Sequence, residues 1–459
     1  MGRTSLIVFL IIIVMVPIFE INIICAKETN INLYSYENSD ISSMKQVASI
    51  ADISSLNKII DIRITPNIEL TPDIELTPDI ELTPDIELTP DIELTPDIEL
   101  TPDIELTPDI ELTPDIELIP DIPPVEIPEI VVVPPEIVTV KNYSYDELKN
   151  DLNNLKYRHS EIIDYRSLGQ SPYGREIFVV TLGSGEAELY IDGSRHGREW
   201  SGAFINMKMI EEYARAVTYG DGTFGDYNVS ELLEKVTIHF VPMINPDGVD
   251  LTIHGLDAFP IDAHANLLSL NDNSSNFKRW KSNALGIDLN RIWDAGWLDI
   301  QNSPSNPSWM NYKGSKPFDP LAVEDLLIKD FIETQDFELL VSYHSTGRIL
   351  YWWWKNTPKN LEVPSRKIAS EVSRLTNYPL YPQDRPHTNG GGLTDWFTEV
   401  YGRIALTLEL APYHNNTSVD LKYYSEEWRR NKYVGLYTAE QAYNLWWERI
   451  GKKSLAQSE

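Results

Sequence analysis

The sequence predicts an α/β fold: one three-layer domain with a mixed, mostly buried sheet flanked by helices, preceded by an extended repeat linker. Three observations predict it. Apolar periodicity alternates between strand and helix throughout 141–459, the pattern of a sheet covered on its faces. Composition changes at about Lys141, where prolines thin out and aromatics appear. Before that point a hexad repeat carries a proline at every sixth position, which forbids a continuous helix.

In the domain, candidate strands are Glu176–Leu182, Ala187–Asp192, Val236–Met243, Phe337–His344, Arg348–Trp354 and Arg403–Leu410. Helical periodicity falls at Tyr145–Leu155, Ser201–Ala216, Pro320–Thr334, Pro364–Leu375, Gly392–Val400 and, as one long helix, Leu421–Arg449.

Upstream, three segments precede it. In 1–26, Arg3 stands before the 14-residue apolar run Leu6–Phe19, followed by Glu20 and a second short apolar stretch ending at Ala26. A charged start and an apolar core of that length fit a secretory signal better than a spanning helix of roughly 20 residues. Ile24 stands where a cleavage site prefers a small residue, so an uncleaved membrane anchor remains the alternative. Either way the expected location is secreted or cell-surface. Residues 27–64 are polar and too few for a substantial domain. Over 65–140, Thr-Pro-Asn-Ile-Glu-Leu occurs once and Thr-Pro-Asp-Ile-Glu-Leu eight times, followed by a less regular proline-rich stretch. The hexad has the polar–apolar alternation of a strand, but its proline removes a ladder bond and no glycine supplies a turn. It reads as an extended, charge-stiffened linker: a stalk tethering the domain to a membrane or wall, or a slippage product tolerated for its solubility.

The charge is as uneven as the composition. The 459 residues hold 38 Lys+Arg and 70 Asp+Glu, a formal −32. Residues 1–140 contribute 5 basic and 27 acidic side chains, leaving only −10 on 141–459. That excludes a nucleic-acid partner, which needs a basic footprint, and opposes adsorption to an anionic membrane. The single cysteine, Cys25, excludes intramolecular disulfides and gives no basis for thiolate catalysis.

Chemistry-bearing residues gather at strand ends, where open α/β sheets place their sites. His196 and Glu199 are three apart, after the strand ending at Asp192 and before a helix. An imidazole and a carboxylate at that junction suit zinc, although the spacing alone equally describes a surface pair. His344 ends the apolar strand Phe337–His344, as a third ligand or as a satisfied core histidine. Glu409 lies within Ile404-Ala-Leu-Thr-Leu-Glu-Leu410, where a carboxylate is costly unless paired or used. A buried glutamate beside a polarised water is what a general base needs.

Four blocks carry a resemblance: His196-Gly-Arg-Glu-Trp200, Asn245-Pro-Asp-Gly248, Gly286-Ile-Asp-Leu-Asn-Arg291, and Gly391-Gly-Leu-Thr-Asp-Trp396 leading to Thr407-Leu-Glu-Leu410. In this order and spacing the domain resembles the zinc metallocarboxypeptidases of the carboxypeptidase A-like type. The resemblance implies one zinc ion per chain, held by His196, Glu199 and His344, with Glu409 as general base and acid. It makes Arg198 a substrate-contacting arginine, and Asn290 and Arg291 the pair that holds a terminal carboxylate, Arg291 as a fork. Lys281 stands where the family has a carbonyl-polarising arginine, keeping the charge but losing the fork. His387 stands at the place of a substrate-capping tyrosine, to cap substrate or simply to sit in a loop. Thr394 occupies a position that often sets side-chain preference; being neutral, it argues against charge selection of basic residues. The aromatic run Tyr351-Trp-Trp-Trp354 is expected to pack in the core or to stack on substrate.

In motif the chain is most similar to bacterial γ-D-glutamyl-diaminopimelate peptidases. The expected partner is therefore a peptide or a peptidoglycan stem peptide, and the expected state a monomer. The alternatives are a general metallocarboxypeptidase removing C-terminal residues, and a catalytically idle binding module on a stalk. The second would have lost a ligand or the base, and all four residues are present.

Overall fold

A computed structural model describes residues 133–384, 390–413 and 415–458, the last seven by backbone alone. It also gives the backbone of three short strands near the N-terminus. The hexad repeat and His387 lie outside the described residues. The chain divides into two units, Met1–Pro120 and Asp121–Glu459. In the first, β1 (Val8–Leu10), β2 (Ile21–Lys27) and β3 (Asn30–Tyr36) form an antiparallel sheet in that order. No helix among the described residues is long and apolar enough to cross a membrane.

The second unit runs α1 (Tyr145–Arg158), β4 (Ile163–Gln170), β5 (Glu176–Leu182), β6 (Ala187–Gly193), α2 (Ser201–Thr218), β7 (Thr223–Phe224), β8 (Tyr227–Asn228), α3 (Val229–Lys235) and β9 (Val236–Val241). It continues with α4 (Pro246–His254), α5 (Ile261–Leu270), α6 (Val323–Glu333), β10 (Phe337–Ser345), β11 (Ile349–Tyr351), α7 (Lys359–Thr376), α8 (Leu393–Tyr401), β12 (Ile404–Leu410), α9 (Tyr424–Asn431) and α10 (Val434–Ser458). Among the described residues the main sheet has the order β11-β12-β10-β6-β9-β5-β4. Its four central strands are parallel and its flanking pairs antiparallel, which is the mixed sheet the sequence predicted.

Both faces are covered. On β5, Phe178, Val180 and Leu182 point into one core, while Ile177 and Val179 point into another. The first core is closed by α1, α2, α7 and α10, and the second by α6 and α8. All nine residues of β10 are buried, which is why it reads as a continuous apolar run with no alternation.

The element boundaries differ from expectation for local reasons. The edge strand β4 is missing from the sequence reading because Ile163-Asp-Tyr-Arg-Ser-Leu-Gly-Gln170 buries only Ile163 fully. The expected helix Leu421–Arg449 is broken between α9 and α10, where the Tyr213 hydroxyl donates to the Lys432 carbonyl at 2.8 Å. Helix α7 begins before Pro364, not at it, since one proline removes only one ladder bond. The packed body also begins before Lys141. Val138 is buried, and the buried Glu211 of α2 accepts from the backbone N–H groups of Ile137 and Val138. Arg215 and Arg158 donate to the carbonyls of Pro134 and Pro135, and Lys208 pairs with Glu136 at 2.7 Å.

Between β6 and α2 the chain is pinned by a buried ion cluster. Arg195, fully buried, donates to Asp192 of β6 at 2.8 Å and to Asp325 of α6. Asp192 also accepts from the Ser342 hydroxyl of β10 at 2.6 Å, and Asp325 from the Trp293 indole at 3.1 Å. Removing the guanidinium would leave two carboxylates buried without their cation. Arg195→Ala is expected to destabilise the domain by about 3–5 kcal/mol, read as a lowered midpoint in chemical denaturation. A midpoint within error of wild type would show that this cluster does not hold the loop.

Candidate active site

The site sits at the C-terminal ends of the parallel strands. β6 and β10 pair so that Asp192 lies beside Ser342 and Gly193 beside Tyr343. β10 and β12 pair so that His344 lies beside Glu409. Register partners project to the same face of a sheet. Hence one histidine and the candidate base emerge side by side, next to the loop that follows β6.

That loop, Ser194–Trp200, is held from behind by the Asn245-Pro-Asp-Gly248 block. Asn245 caps α4 by accepting from the Gly248 N–H at 2.9 Å, with Pro246 in the first turn. Its amide also donates to the carbonyls of Arg195 and Ser282, both at 3.1 Å. Gly197 packs so closely that an added Cβ would stand 2.5 Å from the Gly248 carbonyl oxygen, so both positions require bare backbone.

The three candidate ligands converge. His196 Nδ1 lies 2.9 Å from Glu199 Oε2, His344 Nδ1 lies 3.0 Å from the same oxygen, and the two Nδ1 atoms are 3.2 Å apart. All are buried. Three lone-pair groups facing one point at these separations fit an ion held at about 2.0–2.2 Å by each, the range for zinc with nitrogen and oxygen ligands. Burial lowers the His196 pKa, keeping it neutral as a ligand must be. Burial works against the Glu199 charge, yet His196 and His344 hold its pKa well below the ordinary range.

Asp288 completes the ligand set from outside, and the sequence reading gave it no role. It is fully buried and accepts from His196 Nε2 at 3.1 Å, which fixes the tautomer that leaves Nδ1 free. It also accepts from Lys281 Nζ at 2.9 Å and from the Asn290 N–H at 3.1 Å. Despite burial, Lys281 and His196 hold its pKa well below the usual value. Its signal lay in the motif itself, as the acid two residues before Asn290.

Lys281, Arg198, Asn290, Arg291 and Glu409 line the same cleft of about 180 Å³ as the triad. Lys281 is not a free charge, being tied to Asp288. Glu409 is half-buried and opens onto the cleft. Burial first, then the Glu199 charge, push its pKa up to about 8. A divalent cation at the triad draws it back toward neutrality, where a general base works best. Asn290, Arg291 and Glu409 also border a second pocket with Tyr351, Trp353, Tyr381, Thr394, Asp395 and Thr407. The aromatic run thus divides: Trp352 and Trp354 are buried, while Tyr351 and Trp353 face this pocket. Burial raises the Asp395 pKa to about 7, against the pull of Arg291.

This geometry fits a metal-holding site at the floor of a cleft, and comparison with known proteins supplies the class. The zinc carboxypeptidase family (Peptidase_M14) matches residues 148–433, so the chain belongs to that family of zinc metallopeptidases. It is 30% identical over 273 residues to γ-D-glutamyl-L-diamino acid endopeptidase 1 of Lysinibacillus sphaericus, covering 59% of this chain and 66% of that one. It is 27% identical over 256 residues to the uncharacterized protein YqgT of Bacillus subtilis (strain 168), covering 55% and 66%. The chain therefore spans just under two thirds of each of these relatives. In fold it is similar to thrombin activatable fibrinolysis inhibitor, with a TM-score of 0.52 at 15% identity over 68% of this chain and 78% of that one.

Two outcomes follow from the site. Asp288→Ala should weaken zinc affinity roughly 10- to 100-fold, measured by competition with a chromogenic chelator. Because Glu409 must be charged to accept a proton, kcat/KM should fall as pH drops through its pKa, with a midpoint above the ordinary 4.5. An acid limb centred at 4.5 or below would assign that limb to another group.

Proposed function

We propose that this chain is an exported zinc peptidase that hydrolyses an amide bond next to a carboxylate-bearing residue in peptidoglycan stem peptides, of the γ-D-glutamyl-diaminopimelate type. The observation that carries the reading is the position of Asn290 and Arg291, shared between the triad cleft and the second pocket. Arg291 has no ion pair among the described residues, so its fork is available to a substrate carboxylate. Beyond it the pocket is walled mostly by polar groups, the hydroxyl-bearing Tyr351, Tyr381, Thr394 and Thr407 with Asp395, beside the one indole of Trp353. Such walls suit a hydrophilic side chain, as a diamino acid has, better than a large apolar one. The identity to a γ-D-glutamyl-L-diamino acid endopeptidase supports the same substrate class. Export rests on Arg3 and the apolar run Leu6–Phe19.

When bound, zinc supplies Lewis acidity that acidifies water and polarises a carbonyl. The chain's own side chains do the rest. Asn290 and Arg291 fix the substrate by its carboxylate, setting which amide faces the triad. Lys281, held in place by Asp288, presents positive charge where the carbonyl oxygen becomes anionic. Glu409 takes the proton of the attacking water and hands it to the departing nitrogen.

Incubating the zinc-loaded protein with a diaminopimelate-containing stem tetrapeptide and with a blocked dipeptide ending in Phe separates the readings. Cleavage of the first is expected. Cleavage of the second alone would make the protein a general metallocarboxypeptidase. Glu409→Gln should abolish turnover while zinc stays bound; near-normal activity would remove the glutamate from the proton transfer.

A further inference from the structure

Of the twelve tryptophans, Trp447 alone is exposed, at 61%. It stands on α10 four residues after Tyr443 and next to Trp446, so both indoles flank the tyrosine ring. The Tyr443 ring lies 5.9 Å from that of Trp446 at 25°, and 6.3 Å from that of Trp447 at 27°. The two indoles are 6.0 Å apart. Tyr443 and Trp446 are half-buried and pack against the first core, whereas Trp447 stands outside it. Lys235 of α3 sits over the Tyr443 ring at 5.6 Å. Packing thus fixes the rings as a shelf, and a shelf ordered in advance loses little side-chain entropy when something covers it.

The shelf lies far from the triad. Arg449, two residues beyond Trp447, pairs with Glu338 at the start of β10, and Lys235 directly precedes β9. These are the N-terminal ends of the parallel strands, whereas the triad cleft opens at their C-terminal ends. An occupant of the shelf therefore does not compete with substrate. Charge and area narrow what it is. The exposed Glu440 and Glu448 of the same helix, with the −10 of residues 141–459, oppose an anionic lipid surface and a second copy of this chain. No other large apolar residue of α10 is exposed among the described residues. One exposed ring and two half-buried ones offer less than about 500 Å², below the roughly 800 Å² per partner of a stable protein interface. What fits is an uncharged ligand that is satisfied by one ring at a time.

We propose that Tyr443, Trp446 and Trp447 bind a polysaccharide strand of β-1,4-linked, N-acetylated amino sugars by stacking. A pyranose whose substituents are equatorial presents a flat face of C–H groups that covers an aromatic ring. Its hydroxyl and amide groups point outward from the edge, toward water and toward Asn444 and Glu440, both exposed at the margin of the shelf. The choice of sugar rests on the stem-peptide reading above, since stem peptides hang from strands of this kind. The shelf holds the domain on the polymer, and the cleft at the opposite end of the sheet takes the peptide.

The test uses the full zinc-loaded chain and a hexamer of β-1,4-linked N-acetylglucosamine, which carries no peptide and no charge. Wild type should bind the hexamer in isothermal titration, and Trp447→Ala should bind it roughly 5- to 30-fold more weakly, the range for removing an aromatic anchor. Trp447→Phe should recover part of the loss. The Ala variant should cut a soluble stem tetrapeptide at the wild-type rate and release less peptide from insoluble cell wall. No binding of the hexamer by wild type, or equal binding by Trp447→Ala, would overturn the proposal. So would an equal loss on soluble peptide and on wall. A dimer, or binding to anionic vesicles, that Trp447→Ala abolishes would make the shelf a different interface and overturn it as well. The two readings fail separately: a bound hexamer with an uncut tetrapeptide sinks the stem-peptide reading of the cleft, whereas a cut tetrapeptide with no bound hexamer sinks the shelf alone.

Discussion

The parallel register of β6, β10 and β12 is the constraint on which the site depends. His344 and Glu409 are direct partners across β10 and β12, and Tyr343 is the partner of Gly193 across β10 and β6. Side chains alternate faces with a period of two residues, so a slip of one position would send His344 or Glu409 to the opposite layer. The register is protected because every residue of β10 is buried and each slip would misplace the whole strand. Catalytic geometry and core packing are thus enforced by the same pairing.

The loop after β6 must then be held as firmly as the strands, although it belongs to no element. Arg195 ties its start to β6 and α6, while Asn245 and the Gly197–Gly248 contact tie its middle to α4. Asp288 takes the outer nitrogen of His196 and the amine of Lys281. Lys281 and His196 therefore share one carboxylate, and the direction of the Lys281 amine is set by Asp288 and not by its own shape.

Much of this was legible in the sequence, and the boundary of what was legible is physical. β6, β9, β10 and β12 were found because buried parallel strands are apolar runs at strand length, and α2 and α8 because their periodicity is that of helices. That His196, Glu199, His344 and Glu409 come together was expected because their types and order resemble a family. What was not legible depends on partners distant in sequence. Asp288 lies inside a motif, but its partners His196 and Lys281 are supplied only by the fold. Tyr351 and Trp353 differ from Trp352 and Trp354 only by which side of the chain at the end of β11 and just beyond it meets the pocket. At the break between α9 and α10 the Lys432 carbonyl accepts from a hydroxyl more than 200 residues earlier, that of Tyr213.

The strap of Pro134–Val138 along α2 has a consequence outside catalysis. Arg215, which holds Pro134, lies 14 residues from Ser201 at the start of the helix, about 21 Å at the helical rise. Residues 134–138 are therefore held at a fixed place on the body, remote from the end of α2 that meets the metal loop. The hexads end at Leu118 in the sequence, before any residue of the strap. The number of hexads can therefore change without substituting a single residue that makes these contacts.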